Sequence, residues 1–264
     1  MKNQNYWSDA RKNKERAIAH TKQMAKTKIN EIHHSIQNAK IYDFCNLPKK
    51  EGIPSNFWII NADTVSTLMA WANNDDVHHK IGVLNFASFK EPGGKFLEGS
   101  SAQEECLCHA SYLYNVLQAF QASYYDVNKK CLNKGLYTNR ALYTPDIEFM
   151  QRDVTVKADV ITMAAPNLKV AREYCHVSRE ENEAALSSRI KFIRNIACQN
   201  HLDTIILGAY GCGVFGQDPT VVAAKFYHAF KDIGMNVLFA VPGKDKNALA
   251  FYDYFHSRKE HGKA

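Results

Sequence analysis

The feature that constrains this chain most is a glycine-bearing loop that joins an apolar strand to a helix. Residues 81–84 (IGVL) form an apolar run that predicts a buried β-strand. The loop that follows carries Gly93 and Gly94, and glycine lets a backbone take positive φ values and approach a ligand closely. Apolar residues at helical spacing then predict a helix from residue 102 to about residue 125.

An acidic pair stands at the start of this predicted helix. Gln103, Glu104 and Glu105 fall in its first turn, and Ser100 or Ser101 is the predicted N-cap. Two neighbouring carboxylates at the mouth of a glycine loop indicate a site for acid–base chemistry. Because successive helical residues point about 100° apart, the two glutamates cannot share one role.

A second glycine loop follows another apolar run. Residues 203–207 (DTIIL) predict a buried strand, residues 208–216 (GAYGCGVFG) form the loop, and a helix begins near Pro219. Free backbone N–H groups and a helix N-terminus together favour a bound anion. The loop lacks the G-K-[ST] ending of a P-loop and the G-x-G-x-x-G dinucleotide fingerprint, so neither motif explains it.

The remaining pattern alternates strands and helices. We predict a helix over residues 8–37 with Ser8 as its cap, and irregular structure over residues 126–152. Asp63 lies between a predicted strand and a predicted helix, where its side chain can cap the helix. The other predictions are strands at residues 57–60, 154–156, 160–162 and 237–242, helices at 64–71, 179–199 and 245–258, a loop at 48–54 and a polar C-terminal tail. This alternation predicts an α/β fold with a mixed sheet flanked by helices.

Composition and cysteine usage exclude several classes of protein. With 264 residues, 45% of them hydrophobic and 23% charged, the chain suits one globular domain. We find no apolar run of about 18 residues and no apolar leader, so we expect no membrane segment and no secretory signal. Seven scattered cysteines favour reduced thiols and a cytoplasmic location over a disulfide framework. Cys106, Cys108 and His109 lack the spacing of a zinc site, so we expect no bound metal.

The formal net charge of +6 is concentrated near the N-terminus. A basic face can attract phosphate-rich polymers, but a solvated helix face is the interpretation that we favour. The chain carries no recognised nucleic-acid-binding motif, so we expect no sequence-specific binding to nucleic acid.

Both glycine loops resemble motifs of the poly(ADP-ribose) glycohydrolases, which are enzymes derived from macrodomains. GGK, seven residues and QEE, at residues 93–105, are similar to the family's GGG…QEE signature, with Lys95 in place of the third glycine. GAYGCGVFGQDP, which begins at residue 208, is similar to the family's diphosphate loop, with Tyr210 in place of tryptophan. YTPD at residues 143–146 and AAPN at residues 164–167 also resemble family elements. The resemblance covers most of the chain and is to the compact microbial branch.

The resemblance implies a macrodomain-like three-layer fold in a single catalytic domain. This domain would span residues 1–264, with an N-terminal helical extension at residues 1–50 and the macrodomain core at residues 51–264. The implied reaction hydrolyses ribose–ribose O-glycosidic bonds from the ends of ADP-ribose chains and releases ADP-ribose. Glu105 would be the general acid and base, and Glu104 would hold the ribose hydroxyl groups.

The resemblance also implies ligand contacts and partners. Asp63 would face adenine, and Gln103 would support the catalytic loop. The other implied contacts come from the catalytic loop (Asn85, Ala87, Gly93, Gly94) and from the diphosphate loop (Gly211, Cys212, Gly213, Val214, Phe215, Gly216), with Phe215 against the distal ribose. The implied substrate is ADP-ribose polymer or an ADP-ribosylated protein, no cofactor is implied, and we expect a monomer.

Alternative functions remain open at this point. The chain could instead hydrolyse mono-ADP-ribose from protein, nucleic acid or a small acyl group, or it could bind ADP-ribose without catalysis. The QEE triplet favours polymer hydrolysis, and the two retained glutamates argue against a pure binding module. For Lys95 we favour a side chain that faces solvent, over one that contacts phosphate or distorts the loop.

Overall fold

The structure is a computed structural model that describes residues 2–46, 52–73 and 80–261. The helices are α1 (Lys2–Thr27), α2 (Ile29–Asn38), α3 (Thr64–Ala72), α4 (Gln103–His109), α5 (Leu113–Gln118), α6 (Asp126–Lys129), α7 (Leu168–Cys175), α8 (Arg179–Gln199), α9 (Pro219–Phe230) and α10 (Lys246–His261). The strands are β1 (Lys40–Tyr42), β2 (Asn56–Ile60), β3 (Ile81–Phe86), β4 (Ala141–Gln151), β5 (Val154–Met163), β6 (Thr204–Leu207) and β7 (Asn236–Ala240). The loop expected at residues 48–54 and the end of the polar tail lie largely outside the described residues.

The strands form one mixed sheet of seven strands in the order β1-β4-β5-β3-β6-β7-β2. Strands β5, β3, β6, β7 and β2 run parallel to one another, whereas β4 is antiparallel to both β1 and β5. The prediction of an α/β fold with a mixed, helix-flanked sheet is therefore confirmed. The parallel strands end at one edge of the sheet, where ligands bind in open α/β folds.

The sheet carries a hydrophobic core on each face. Alternate side chains of a strand point to opposite faces, so Leu84 packs among the residues of α8, α9 and α10, while Val83 packs among those of α1, α3, α4 and α5. The result is three layers, with the sheet in the middle. No helix among the described residues is long and apolar enough to cross a membrane.

The prediction of irregular structure over residues 126–152 is wrong. The eleven-residue strand β4 occupies much of this range and pairs with β5, which is one continuous strand rather than the predicted pair. The register shifts between Thr144 and Ile147, and Asp146 takes a φ of 57°. The buried carboxylate of Asp159 accepts the Asp146 N–H at 3.0 Å and also accepts the Tyr143 hydroxyl. The YTPD segment is thus a β-bulge, which hides the strand's alternation from a sequence pattern.

Two long helix predictions are also wrong in their continuity. The predicted helix at residues 102–125 is divided into α4, α5 and a π-helical turn, Gln121–Tyr125. The interruption at Ser111 lets that residue bridge to Phe149 on β4, and Ala110 O accepts the Met150 N–H at 2.7 Å. The predicted helix at residues 8–37 is two helices, and α1 begins at Lys2, so Ser8 does not cap it. The sequence interpretation also missed the short elements β1 and α7.

Candidate active site

A groove runs along the edge of the sheet where the parallel strands end. Its first part has a volume of about 270 Å³ and is bounded by Asp63 after β2 and by Pro242 after β7. Its second part has a volume of about 430 Å³ and is bounded by the loop that follows β6, including Phe215. Both parts share Phe86, Ala102, Gln103, Ala209 and Asn247 as lining residues. The two parts therefore form one elongated binding site at the edge that the topology predicts.

The loop after β3 packs its glycine backbone directly against the acidic pair. Gly93 and Gly94 have φ values of 67° and 59°. A Cβ on Gly94 would stand 2.7 Å from Glu105 Oε1 and 2.9 Å from Glu104 Oε2, and one on Gly93 would stand 2.6 Å from the Tyr114 ring. Both the positive φ and the lack of space require glycine here. The loop and the two carboxyl groups thus form one tightly packed unit.

Glu105 has one bonded and one unbonded carboxyl oxygen. Its side chain is 5% exposed, and Oε1 accepts the backbone N–H of Lys95 at 2.9 Å. Glu105 Oε2 is buried and has no hydrogen-bond partner among the described residues. A buried carboxyl oxygen without a partner is costly in a folded protein unless a ligand completes its bonding. Glu105 is therefore held in place by the loop through one oxygen, and its other oxygen has no protein partner among the described residues.

Glu104 lies deeper and bonds to protein through both oxygens. Glu104 Oε1 accepts from Asn85 Nδ2 at 3.2 Å, and Oε2 accepts from the Ser88 N–H at 2.7 Å. Burial raises the pKa of Glu104 to about 8, with a further upward contribution from Glu105, although these two hydrogen bonds oppose the shift. Asn85 Oδ1 is a second buried atom without a partner among the described residues. The two glutamates thus occupy different environments, which agrees with the prediction of separate roles.

Gln103 joins three elements. Its Nε2 donates to Leu84 O at 2.9 Å and to Thr64 Oγ1 at 3.2 Å, and its Oε1 accepts the Phe86 N–H at 2.9 Å. The side chain therefore ties α4 to the end of β3 and to the start of α3. This placement agrees with the expected supporting role of Gln103. A contact between Gln103 and a ligand stays a prediction.

The predicted N-cap at Ser100 or Ser101 is wrong. Ala102 occupies the N-cap position and makes no side-chain cap, and its carbonyl accepts the Cys106 N–H at 2.9 Å. The Ser100 N–H instead donates to Lys95 O at 3.2 Å and closes the preceding turn. Both serines thus precede the N-cap position, and Ser100 belongs to the turn before it.

The loop after β6 presents backbone amides to the groove. Gly211 and Gly216 have φ values of 76° and 74°. Among the described residues, the amides of Gly213, Val214 and Phe215 have no hydrogen-bond acceptor. Such a run of free N–H groups is a site for an anion. Cys212 is buried in the core below, and Val214 is 87% exposed at the tip of the loop.

The aromatic ring of Phe215 extends from this loop toward the catalytic loop. Phe215 packs edge-on against Tyr137 at 6.2 Å between ring centroids, and Tyr137 stacks on Phe89 at 4.2 Å. Sequence interpretation missed Tyr137 and Phe89, as well as Asn247, which lines both parts of the groove. Asn247 comes two residues after Asp245, whose carboxylate accepts the amide N–H groups that begin α10. Of these features, the Asp245 cap is the one that the sequence could have revealed.

Two other predicted site residues have clear structural positions. Asp63 caps α3, as predicted, by accepting the Ser66 N–H at 2.9 Å, and it also lines the groove. The adenine role of Asp63 remains compatible with this cap and stays a prediction. Ala87 is buried beside Asn85, whose carbonyl accepts the Ala87 N–H at 2.9 Å, and its ligand role also stays a prediction.

Lys95 does not need the backbone freedom of glycine. Its φ is −105°, which any residue adopts. The Lys95 side chain is 72% exposed and forms an exposed ion pair with Glu98 at 3.4 Å. The favoured interpretation of a solvent-facing side chain agrees with this geometry. The residue serves Glu105 through its backbone N–H, which every residue except proline has.

Among the described residues, no group of three or more His, Cys, Asp and Glu side chains is arranged to hold a metal ion. Within the Cys106–His109 stretch, Cys106 is exposed and Cys108 is buried, so the two thiols point in different directions. None of the seven cysteines forms a disulfide bond in the structure.

Comparisons with known proteins point to one enzyme family. The family model described as "Microbial-type PARG, catalytic domain" matches residues 11–152. A search of curated proteins found no match. Among solved structures, a poly(ADP-ribose) glycohydrolase from Thermomonospora curvata has a TM-score of 0.81 and 23% identity, covering 93% of this chain and 100% of that one. One from Deinococcus radiodurans, in complex with ADP-ribose, has a TM-score of 0.75 and 28% identity, covering 86% and 97%.

We predict that Glu104 makes the stability of this protein depend on pH. Because its pKa is raised from 4.5 to about 8, the folded state keeps a proton that the unfolded chain releases between these values. The free energy of unfolding should therefore fall by on the order of 1–4 kcal/mol as the pH rises from 5 to 9. Urea denaturation of the natural protein and Glu104→Gln across this range measures the difference.

The exposed Glu98→Gln variant is the control and should follow the natural protein at every pH. A constant stability difference between the natural protein and Glu104→Gln would contradict the assignment of a retained proton to Glu104.

Proposed function

Since this chain belongs to the family of microbial-type poly(ADP-ribose) glycohydrolase (PARG) catalytic domains, we propose how its own residues carry out the hydrolysis of poly(ADP-ribose). The observation that carries the proposal is the contact of the Gly93–Gly94 backbone with both carboxyl groups. This contact leaves Glu105 Oε2 buried and without a partner among the described residues. Such an oxygen is suited to exchange a proton with a substrate that enters the groove.

The terminal ADP-ribose unit fits the groove along its length. Its adenine lies in the first part, where the Asp63 carboxylate accepts the amino group. Its diphosphate lies on the free amides of Gly213, Val214 and Phe215, where fixed N–H dipoles stabilise negative charge. Its distal ribose lies between the Phe215 ring and the loop that holds Glu105. The ADP-ribose complex of the Deinococcus radiodurans protein supports a ligand of this kind.

The reaction breaks the bond between the anomeric carbon of the distal ribose and the oxygen of the departing ribose. Glu105 Oε2 gives its proton to that oxygen as the bond breaks, and the ribose develops oxocarbenium character. The resulting Glu105 carboxylate then takes a proton from a water molecule whose oxygen attacks the anomeric carbon. This second proton transfer returns Glu105 to its protonated form before ADP-ribose leaves, so protons balance over the cycle.

Glu104 has a positioning role in this scheme. Its raised pKa keeps a proton on the carboxyl at neutral pH, so the group can donate a hydrogen bond to a ribose hydroxyl. A neutral Glu104 also avoids a second buried negative charge after Glu105 has given up its proton. Asn85, which donates to Glu104 and has a free Oδ1, can accept from the same ribose.

We also propose the setting in which the reaction occurs. Residues 1–264 act as one catalytic domain of macrodomain type, and strand β1 of the N-terminal extension supports this by joining the central sheet. The enzyme acts as a monomer in the cytoplasm, a compartment that suits its free thiols. The buried glutamate pair disfavours a pure ADP-ribose binding module, because binding alone does not need an unpartnered buried carboxyl oxygen.

We expect Glu105→Gln to abolish hydrolysis but preserve binding. The amide cannot donate or accept the reacting proton at a useful rate, so kcat should fall by about 10³-fold or more. The affinity for ADP-ribose should change by less than about threefold, because the groove and the diphosphate loop are unaltered. The measurement is release of ADP-ribose, identified by mass, from a poly(ADP-ribosyl)ated acceptor, beside calorimetric binding of ADP-ribose.

Glu98→Gln is the matched control, since Glu98 is exposed on the same loop, and it should remain fully active. If ADP-ribose were released only from a mono-ADP-ribosylated acceptor, the enzyme would act on a different linkage from the ribose–ribose bond. Normal turnover by Glu105→Gln would contradict the assigned acid.

We expect Lys95→Gly to keep both activity and ADP-ribose binding within about threefold of the natural protein. The substitution preserves the backbone N–H that bonds Glu105 and removes only an exposed side chain. Initial rates on polymer provide the measurement. Lys95→Pro, which removes that N–H, is the contrasting variant and should lose activity. A large gain of activity in Lys95→Gly would show that lysine distorts the loop.

A further inference from the structure

Helix α1 contacts the catalytic loop at Gly99. A Cβ on Gly99 would stand 2.0 Å from Ala10 O and 3.0 Å from the Lys14 nitrogen, so the helix backbone lies directly against the loop. Asn13 Nδ2 also donates to Gly99 O at 3.4 Å. The φ of Gly99 is 89°, which favours glycine independently of the contact. Helix α1 thus limits where the end of the loop can lie.

A chain of backbone hydrogen bonds connects Gly99 to Glu105. The Gly99 N–H donates to Phe96 O at 3.1 Å, and the Ser100 N–H donates to Lys95 O at 3.2 Å. The Lys95 N–H in turn donates to Glu105 Oε1 at 2.9 Å. A displacement of Gly99 therefore moves the donor that holds the Glu105 carboxyl group.

The same helix contacts the segment that follows Glu105. His20 Nε2 donates to Ser111 O at 2.7 Å, with the ring nitrogen as the donor because a carbonyl oxygen only accepts. Ser111 Oγ donates to Leu107 O at 2.7 Å, inside α4. His20 is thereby connected to the helix that carries both glutamates.

Packing reinforces these polar contacts. Ala17 of α1 and Phe96 of the catalytic loop are fully buried. The Phe96 ring contacts His109, at the end of α4, at 4.6 Å between ring centroids, and His109 lies 6.5 Å from His20. Loop, α4 and α1 therefore share one interior.

We propose that α1 is a brace for the general acid, with Asn13 and His20 as positioning residues that act through Gly99 and Ser111. Among the described residues that line the groove, Asn13 and His20 are both absent. Helix α4 has only seven residues and carries two buried carboxyl groups in its first turn. Because so short a helix is not stable by itself, its position depends on contacts with other elements. A displacement of about 1 Å at a catalytic group lowers the rate by on the order of 100-fold. The proposal rests on the role of Glu105 given above.

The test compares the double variant Asn13→Ala/His20→Ala with the natural protein. We expect kcat on polymer to fall by about 10- to 100-fold, while the Kd for ADP-ribose changes by less than about threefold. Two single variants separate the hydrogen bond from the ring. His20→Gln, whose amide can still donate to Ser111 O, should keep most of the activity that His20→Ala loses. Asn115→Ala is the matched control, because it removes a hydrogen bond to the same helix, at Thr21 O, but from α5. This control should keep kcat within about threefold.

Amide hydrogen exchange of residues 93–105 provides a readout that does not depend on activity. Exchange there should accelerate in the double variant and stay unchanged in Asn115→Ala. If the natural protein did not hydrolyse polymer, the proposed function would be refuted. The exchange data would still decide whether α1 holds the loop. An equal loss of kcat in Asn115→Ala, or unchanged exchange and kcat in the double variant, would overturn the brace.

Discussion

The site depends on the close packing of the Gly93–Gly94 backbone against two buried carboxyl groups. This contact aligns the Lys95 N–H with Glu105 Oε1 and leaves no space for a side chain at Gly94. Burial raises the pKa of Glu104 to about 8. The placement of the acidic pair thus depends on the shape of a loop that only glycine can form.

Two further sets of contacts hold that loop and the helix that carries the glutamates. Gln103 ties the start of α4 to the end of β3. Helix α1 packs against Gly99 and is bonded through His20 to Ser111. The parallel strands bring the loop after β6, with its free amides, to the same edge of the sheet. Helix α4, whose first residue Gln103 lines the groove, and the free amides of the loop after β6 therefore lie at the same groove, although they are more than a hundred residues apart in the chain.

Sequence patterns predicted the parts of this structure that local chemistry determines. Helix α8 has the bounds that apolar residues at helical spacing predict, and the structure adds a capping box at its start, formed by Ser178 and Glu181. Strand β4 was missed because a bulge held by Asp159 breaks its alternation, and the division between α4 and α5 was missed because Ser111 pairs with a distant strand. The acidic pair was predictable from its spacing to the glycines. Asn247 was not, since only tertiary contacts bring it to the groove. Tyr137 and Phe89 were not either, since only the fold brings them into ring contact with Phe215 and with each other.

The most direct test of the central constraint is the activity of Gly94→Ala, measured as kcat on polymer together with the Kd for ADP-ribose. The added methyl group would displace both carboxyl groups and strain the backbone at a φ of 59°, so we expect kcat to fall by about 100-fold or more while the Kd changes by less than tenfold. Gly243→Ala is the control, with a φ of 90° and no atom within 4 Å of the new methyl group, and it should stay active. Full activity in Gly94→Ala would contradict the dependence of the acidic pair on this loop.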